Sequence, residues 1–229
     1  MLKMKKNLIL ILFIICFSCG KDKVVLLPEI DHSEITEIKD VSPAYLFYDE
    51  TKKDSVELNR KNLIVSTNWL VNVDKRLTLK QAIPHIKFIQ DKKRNSSHKN
   101  EKAKNYFTCN DTSRKNLGFI EFTTTNYYNE KPKMIFSDIS DLDYSGNIHS
   151  IDFENNEEIL ILLGYSVDIN IKTNRTSLQK EIKKLDSVKG RIILNFNKNF
   201  KFQDYITIKS KLSELKLENL TISNNEFIY

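Results

Sequence analysis

The chain has 229 residues, of which 40% are apolar, and carries 36 Lys and Arg against 30 Asp and Glu. Three of those lysines, Lys3, Lys5 and Lys6, lie in the first eighteen residues, where there is no acid, so the formal surplus of six halves beyond them. So weak a net charge removes the main support for a nucleic-acid role, and none is expected.

The first element in chain order is residues 8–17, LILILFIICF, an unbroken apolar run behind the basic start. It is about half the length a membrane-spanning helix needs and suits the core of a signal peptide. Ser18, Cys19 and Gly20 follow. A small residue and a cysteine after such a core resemble a bacterial lipoprotein signal, with Cys16 and Phe17 departing from the usual aliphatic and small residues. The pattern predicts removal of residues 1–18, acylation of Cys19, a membrane attachment through that lipid and a place in the cell envelope, on the periplasmic side or the surface of the outer membrane. Residues 19–40 open with GKDK, show no sustained amphipathic period, and read as a tether.

Residues 41–147 read as an N-terminal α/β lobe. AYLFYD, NLIVSTNWLVNV, NYFTCN, LGFIEFT and MIFSDI carry the apolar and aromatic content of strands. The single tryptophan, Trp69, shares a strand face with Val71 and Val73, which places it in a core; an exposed ring for stacking on sugars is the other reading. Asp74 ends that strand, and the residues after it carry a helical stripe through Leu79, Ala82 and Ile89, with Pro84 expected to kink or delay the helix. KKRNSSHKNEKAK, residues 92–104, holds Lys92, Lys93, Arg94 and Lys99 in a basic run, a solvated loop or a contact for an anionic surface.

Catalytic signatures do not emerge. Once Cys16 is cleaved and Cys19 acylated, Cys109 is left alone, and His32, His85, His98 and His149 show no nucleophile or metal-ligand spacing around them. The five glycines form no phosphate loop, and Asp138 and Asp141 read as turn carboxylates. The expectation is a protein that is not an enzyme and holds no metal or cofactor. The competing class is an envelope hydrolase, or a glycan-binding lipoprotein, with an unrecognised site.

Residues 148–229 read as a second α/β lobe, giving two small lobes of the α+β type. Ile151 to Glu154 and Glu158 to Leu163 form a hairpin, and Val167 to Ile171 continues it. Ser177 caps a helix with a stripe of Leu178, Ile182, Leu185 and Val188 that ends at Gly190. Ile192, Ile193 and Leu194 make a strand buried on both faces. Phe202, Tyr205, Ile208 and Leu212 give a second stripe, with Lys209 and Lys211 on its solvated side, before a last strand at Leu220 to Ile222. The order is ββαβαβ.

From Asn197 through Phe202, Tyr205, Ile208 and Leu212 this lobe resembles the periplasmic domain of the ExbD/TolR biopolymer-transport proteins. Asn197 stands where that family has an acid, and Phe202 where it has a tyrosine. The resemblance implies a binding or assembly role toward an envelope protein or peptidoglycan. It does not carry over proton-channel activity, because residues 8–17 are short and hold no carboxylate. VNVDKRLTLKQAI (71–83) also aligns without gaps on LNFNKNFKFQDYI (194–206), with identities at 72/195, 75/198 and 83/206, so the two lobes are expected to echo one another.

Overall fold

The computed structural model describes residues 23–98, 100–130, 147–155, 157–163 and 170–229. Residues 1–22, with Cys19, lie outside this set, as do Lys99, Asp138 and Asp141. The fold is mixed α/β, with two sheets and three α-helices among the described residues.

The first sheet starts from the hairpin of β2 (Val41–Tyr48) and β3 (Val56–Asn59). β4 (Asn68–Val73) runs parallel to β2 on its other side. Helix α1 (Leu79–Arg94) follows, and β5 (Asn105–Asp111) returns parallel to β4. β6 (Asn116–Glu121) pairs antiparallel with β5, and β1 (Glu29–Ile30) pairs parallel with it. The second sheet repeats the plan. β8 (Asn147–Phe153) and β9 (Ile159–Leu162) form the hairpin, with β10 (Asn170–Thr173) beyond it. Helix α2 (Leu178–Leu185) leads to β11 (Gly190–Phe196), parallel to β8. Helix α3 (Phe202–Ser213) leads to β12 (Leu220–Ile228), parallel to β11. Thus β3-β2-β4-β5 and β9-β8-β11-β12 have the same order and directions.

Period-two alternation builds the first sheet: in β4, Trp69, Val71 and Val73 are buried and the residues between them half-buried. β11 is buried on both faces, with Ile192, Ile193 and Leu194 at most 3% exposed. One apolar core runs through both sheets. Phe107 of β5 meets Phe202 and Tyr205 of α3 edge-on, and Phe196 of β11 meets Tyr205 edge-on as well.

The two turns that follow β4 and β11 lock into each other. Leu79 N–H donates to the Phe200 carbonyl at 2.9 Å, and its counterpart Phe202 N–H donates to Leu77 at 2.7 Å. Lys80 N–H reaches Lys198, and Gln203 N–H reaches Lys75. Asp74 and Asn197 occupy matching places, each side chain accepting the N–H two residues on. The reciprocity follows the 71–83/194–206 alignment residue for residue. It also satisfies first-turn N–H groups of both helices, which have no partner inside a helix.

Several elements depart from expectation. The span read as a tether is tied down from Lys23 onward. Lys23 pairs with Asp49 and Glu57, Leu26 N–H donates to Asp74, and Ile30 is buried beside β5. The second sheet takes β7 (Asn126–Tyr128) from upstream of residue 148, as the strand flanking β12. Residues 62–67 form turns, and β3 carries the hairpin instead. Pro84 does not delay α1, which starts at Leu79; its missing N–H only deprives the Lys80 carbonyl of a helical donor. Ser177 stands at the N-cap of α2 but its side chain makes no capping bond; the turn before it is held by Asn174, whose side chain accepts the N–H groups of Thr176 and Ser177. That helix stops at Leu185 because the Asp186 carboxylate accepts N–H groups from Glu218, Asn219 and Leu220, which leaves Val188 exposed.

Candidate functional site

The residues singled out in the sequence fall at two ends of β4. At its start, the Lys93 ammonium lies 4.7 Å from the centre of the Trp69 ring. It donates to the carbonyls of Thr67 and Lys104 and to the Asn105 side chain, at 3.0 to 3.2 Å. Lys93 and Trp69 are 6% and 1% exposed, so this is an internal clamp that ties the end of α1 to the start of β4 and β5. Burial pushes the Lys93 ammonium down to about 8. The Trp69 indole N–H is used as well, donating to Ile64 at 2.7 Å. Of its neighbours, Arg94 donates to the Thr125 carbonyl and Lys92 is exposed.

At the far end of β4, Asp74 is a buried anchor. Burial alone would push its carboxyl up, but the Arg76 guanidinium and the N–H groups of Arg76 and Leu26 outweigh that and hold it below the usual value. Its work is to fix the turn into α1 and the N-terminal segment.

Beside that turn lies an open cleft of about 520 Å³, lined by Tyr48, Asp54, Thr78, Gln81, His85 and Lys201 among others. It lies where the two repeats meet: Thr78 bridges Lys201, and the Lys201 ammonium donates to the Arg76 carbonyl. Gln81 accepts the Thr78 N–H with its side-chain oxygen and gives its amide N–H to the Asp54 carbonyl at 2.7 Å. Asp54 and Ser55 both adopt positive φ, 56° and 54°, in the left-handed region that L-residues enter at a cost. Gln81 is the bond holding that strained turn against α1. Burial lowers the basicity of His85, with Asp54 pulling slightly the other way. The exposed lysines here and the half-buried imidazole suit an anionic group carried on an apolar or aromatic frame that rests on Tyr48 and Pro84.

A second polar cluster is internal. Tyr205 donates to Glu226 at 2.7 Å, Lys209 pairs with the other oxygen of that carboxylate, and the Tyr127 hydroxyl lies 3.2 Å from that of Tyr205. Glu226 is fully buried in β12. Burial, and then the Glu226 carboxylate, push both phenols well above their ordinary range. Lys209 therefore does not belong to the solvated face of α3; it neutralises a buried acid.

Cys109 is buried with its thiol pushed far up by desolvation, which leaves it a poor nucleophile. Among the described residues, no three His, Cys, Asp or Glu side chains are placed to hold a metal ion. The cleft was not legible in the sequence, because it is assembled from residues 48–56, 78–85 and 201, and its turn, KKDS, carries no glycine to announce a positive φ. A comparison of the chain with known protein families, curated proteins and solved structures finds no match.

Proposed function

We propose that this chain is a lipid-anchored cell-envelope protein acting as a non-catalytic binding or assembly module. Its partner is an envelope protein or peptidoglycan, and its anchor is the acylated Cys19. The single observation that carries the binding role is the seam cleft, lined from both repeats by lysine, tyrosine and amide groups. Those groups suit recognition of an anionic ligand. Carboxylates of peptidoglycan stems, or of an acidic protein segment, match that lining.

The finer fold reading belongs to the same proposal: residues 148–229 form a unit of the ExbD/TolR periplasmic type. It is supported by the order β8, β9, α2, β11, α3, β12, and by the burial of Phe202, Tyr205, Ile208 and Leu212 along one stripe. The insertion of β10 between hairpin and helix is a departure from ββαβαβ.

Among the described residues no helix is long and apolar enough to cross a membrane. The anchor is tested by Cys19→Ala, which is expected to shift the chain from the detergent-extractable membrane fraction to the soluble fraction. Retention in the membrane with residues 1–18 still attached contradicts it.

A further inference from the structure

The charges that line the seam cleft are mixed in sign. At neutral pH they are the ammonium groups of Lys80 and Lys201 and the carboxylate of Asp54, since burial holds the His85 imidazole below its ordinary basicity and leaves it uncharged. All three charged side chains are exposed, and none forms an ion pair among the described residues. The acids in the flanking segments are engaged: Asp74 by Arg76, Asp49 and Glu57 by Lys23, and Glu50 by the Tyr48 hydroxyl.

The two signs are held apart by a fixed wall. The Gln81 amide donates to the Asp54 carbonyl at 2.7 Å, its oxygen accepts the Thr78 N–H at 2.8 Å, and Thr78 pairs with Lys201 across the seam. Asp54 therefore stands on the turn before β3, and Lys201 at the other end of this chain of bonds, with Lys80 in the first turn of α1. The positive φ of Asp54 and Ser55 is strain that a specific bond retains, and what it sets is the position of a carboxylate in the lining. The Tyr48 ring is fixed too, with the Arg76 guanidinium 4.7 Å from its centre.

Resting on the reading of this cleft as the binding site, we propose that its ligand is a peptidoglycan stem peptide with a free diamino-acid end, held by its ammonium at Asp54 and by carboxylates at Lys80 and Lys201. Such a stem carries the complement of the lining on one short chain, with more than one carboxylate and a single primary ammonium. A cleft of about 520 Å³ admits a ligand of a few residues. An acidic protein segment is the poorer match, because a run of carboxylates that reaches both lysines also brings one against Asp54.

The test is calorimetric titration of the full chain, held in neutral detergent, with three probes. They are N-acetyl-L-alanyl-γ-D-glutamyl-meso-diaminopimelate, the same peptide with its remaining amine acetylated, and N-acetyl-triglutamate. The free-amine stem peptide is expected to bind roughly fivefold more tightly than its acetylated form. Asp54→Asn is expected to abolish that difference without weakening the acetylated peptide; asparagine tolerates the left-handed region, and its main-chain carbonyl still accepts from Gln81. Lys80→Met and Lys201→Met are expected to weaken both stem peptides. Equal affinity for the two stem peptides, with both weakened by Lys201→Met, overturns recognition of the ammonium and leaves the cleft as a carboxylate site. Triglutamate binding as tightly as the free-amine peptide gives the cleft to an acidic protein segment and overturns the stem peptide. Binding that neither lysine variant changes puts the ligand elsewhere on the protein, and a chain that binds none of the three probes refutes the cleft as a binding site together with this ligand.

Discussion

Lys209→Met is expected to cost about 3 to 5 kcal/mol, far more than an exposed lysine, because it strands a buried carboxylate. Glu226 is 0% exposed, and its two oxygens are satisfied from α3 by the Tyr205 hydroxyl and the Lys209 ammonium. Removing the ammonium leaves a charge in the core with one neutral donor. The double variant Lys209→Met with Glu226→Gln is expected to recover most of the loss, since the amide oxygen still accepts from Tyr205 and no charge remains. Urea denaturation midpoints of the three proteins decide it. If Lys209→Met stays within about 0.5 kcal/mol of the parent, as exposed lysines do, the buried pair is not formed.

Leu212→Ala is expected to cost about 2 to 5 kcal/mol, combining lost burial with the cavity left behind. Leu212 is 4% exposed and belongs to the common core, one turn beyond Ile208 on the same face of α3. Its neighbour Lys211 is half-buried, and only its main-chain carbonyl is engaged, accepting from Gln179. Lys211→Ala should therefore stay within about 0.5 kcal/mol. The loss at Leu212 is a large share of the roughly 5 to 15 kcal/mol a domain possesses. Equal shifts in the denaturation midpoint for the two variants would mean that α3 does not dock through this stripe.

What the sequence made legible were the elements whose signal is local. The α3 stripe of Phe202, Tyr205, Ile208 and Leu212, the doubly buried strand at Ile192 to Leu194 and the alternation from Trp69 to Val73 are each written in one continuous segment. The likeness of 71–83 to 194–206 was legible for the same reason, and the reciprocal bonds between the two turns give it a physical basis. Features that depend on distant partners were not legible. The last strand runs to Ile228 through the polar stretch Ser223 to Glu226, because Glu226 faces inward to Tyr205 and Lys209 and no periodicity reports that. Lys93 stands in a basic run that reads as solvated, yet its stem passes under Trp69 to carbonyls of two other segments. The N-terminal segment is short of apolar periodicity, and its order comes from Asp74, Asp49 and Glu57, all remote in sequence.

The proposed place of this chain in the cell envelope depends on the anchor at Cys19. The most direct measurement is the intact mass, with N-terminal peptide sequencing, of the chain extracted from membranes of cells that express it. The expected result is a protein that begins at Cys19 and carries the added mass of acyl chains on that residue. A chain that begins at Met1, or that begins elsewhere with Cys19 unmodified, contradicts it.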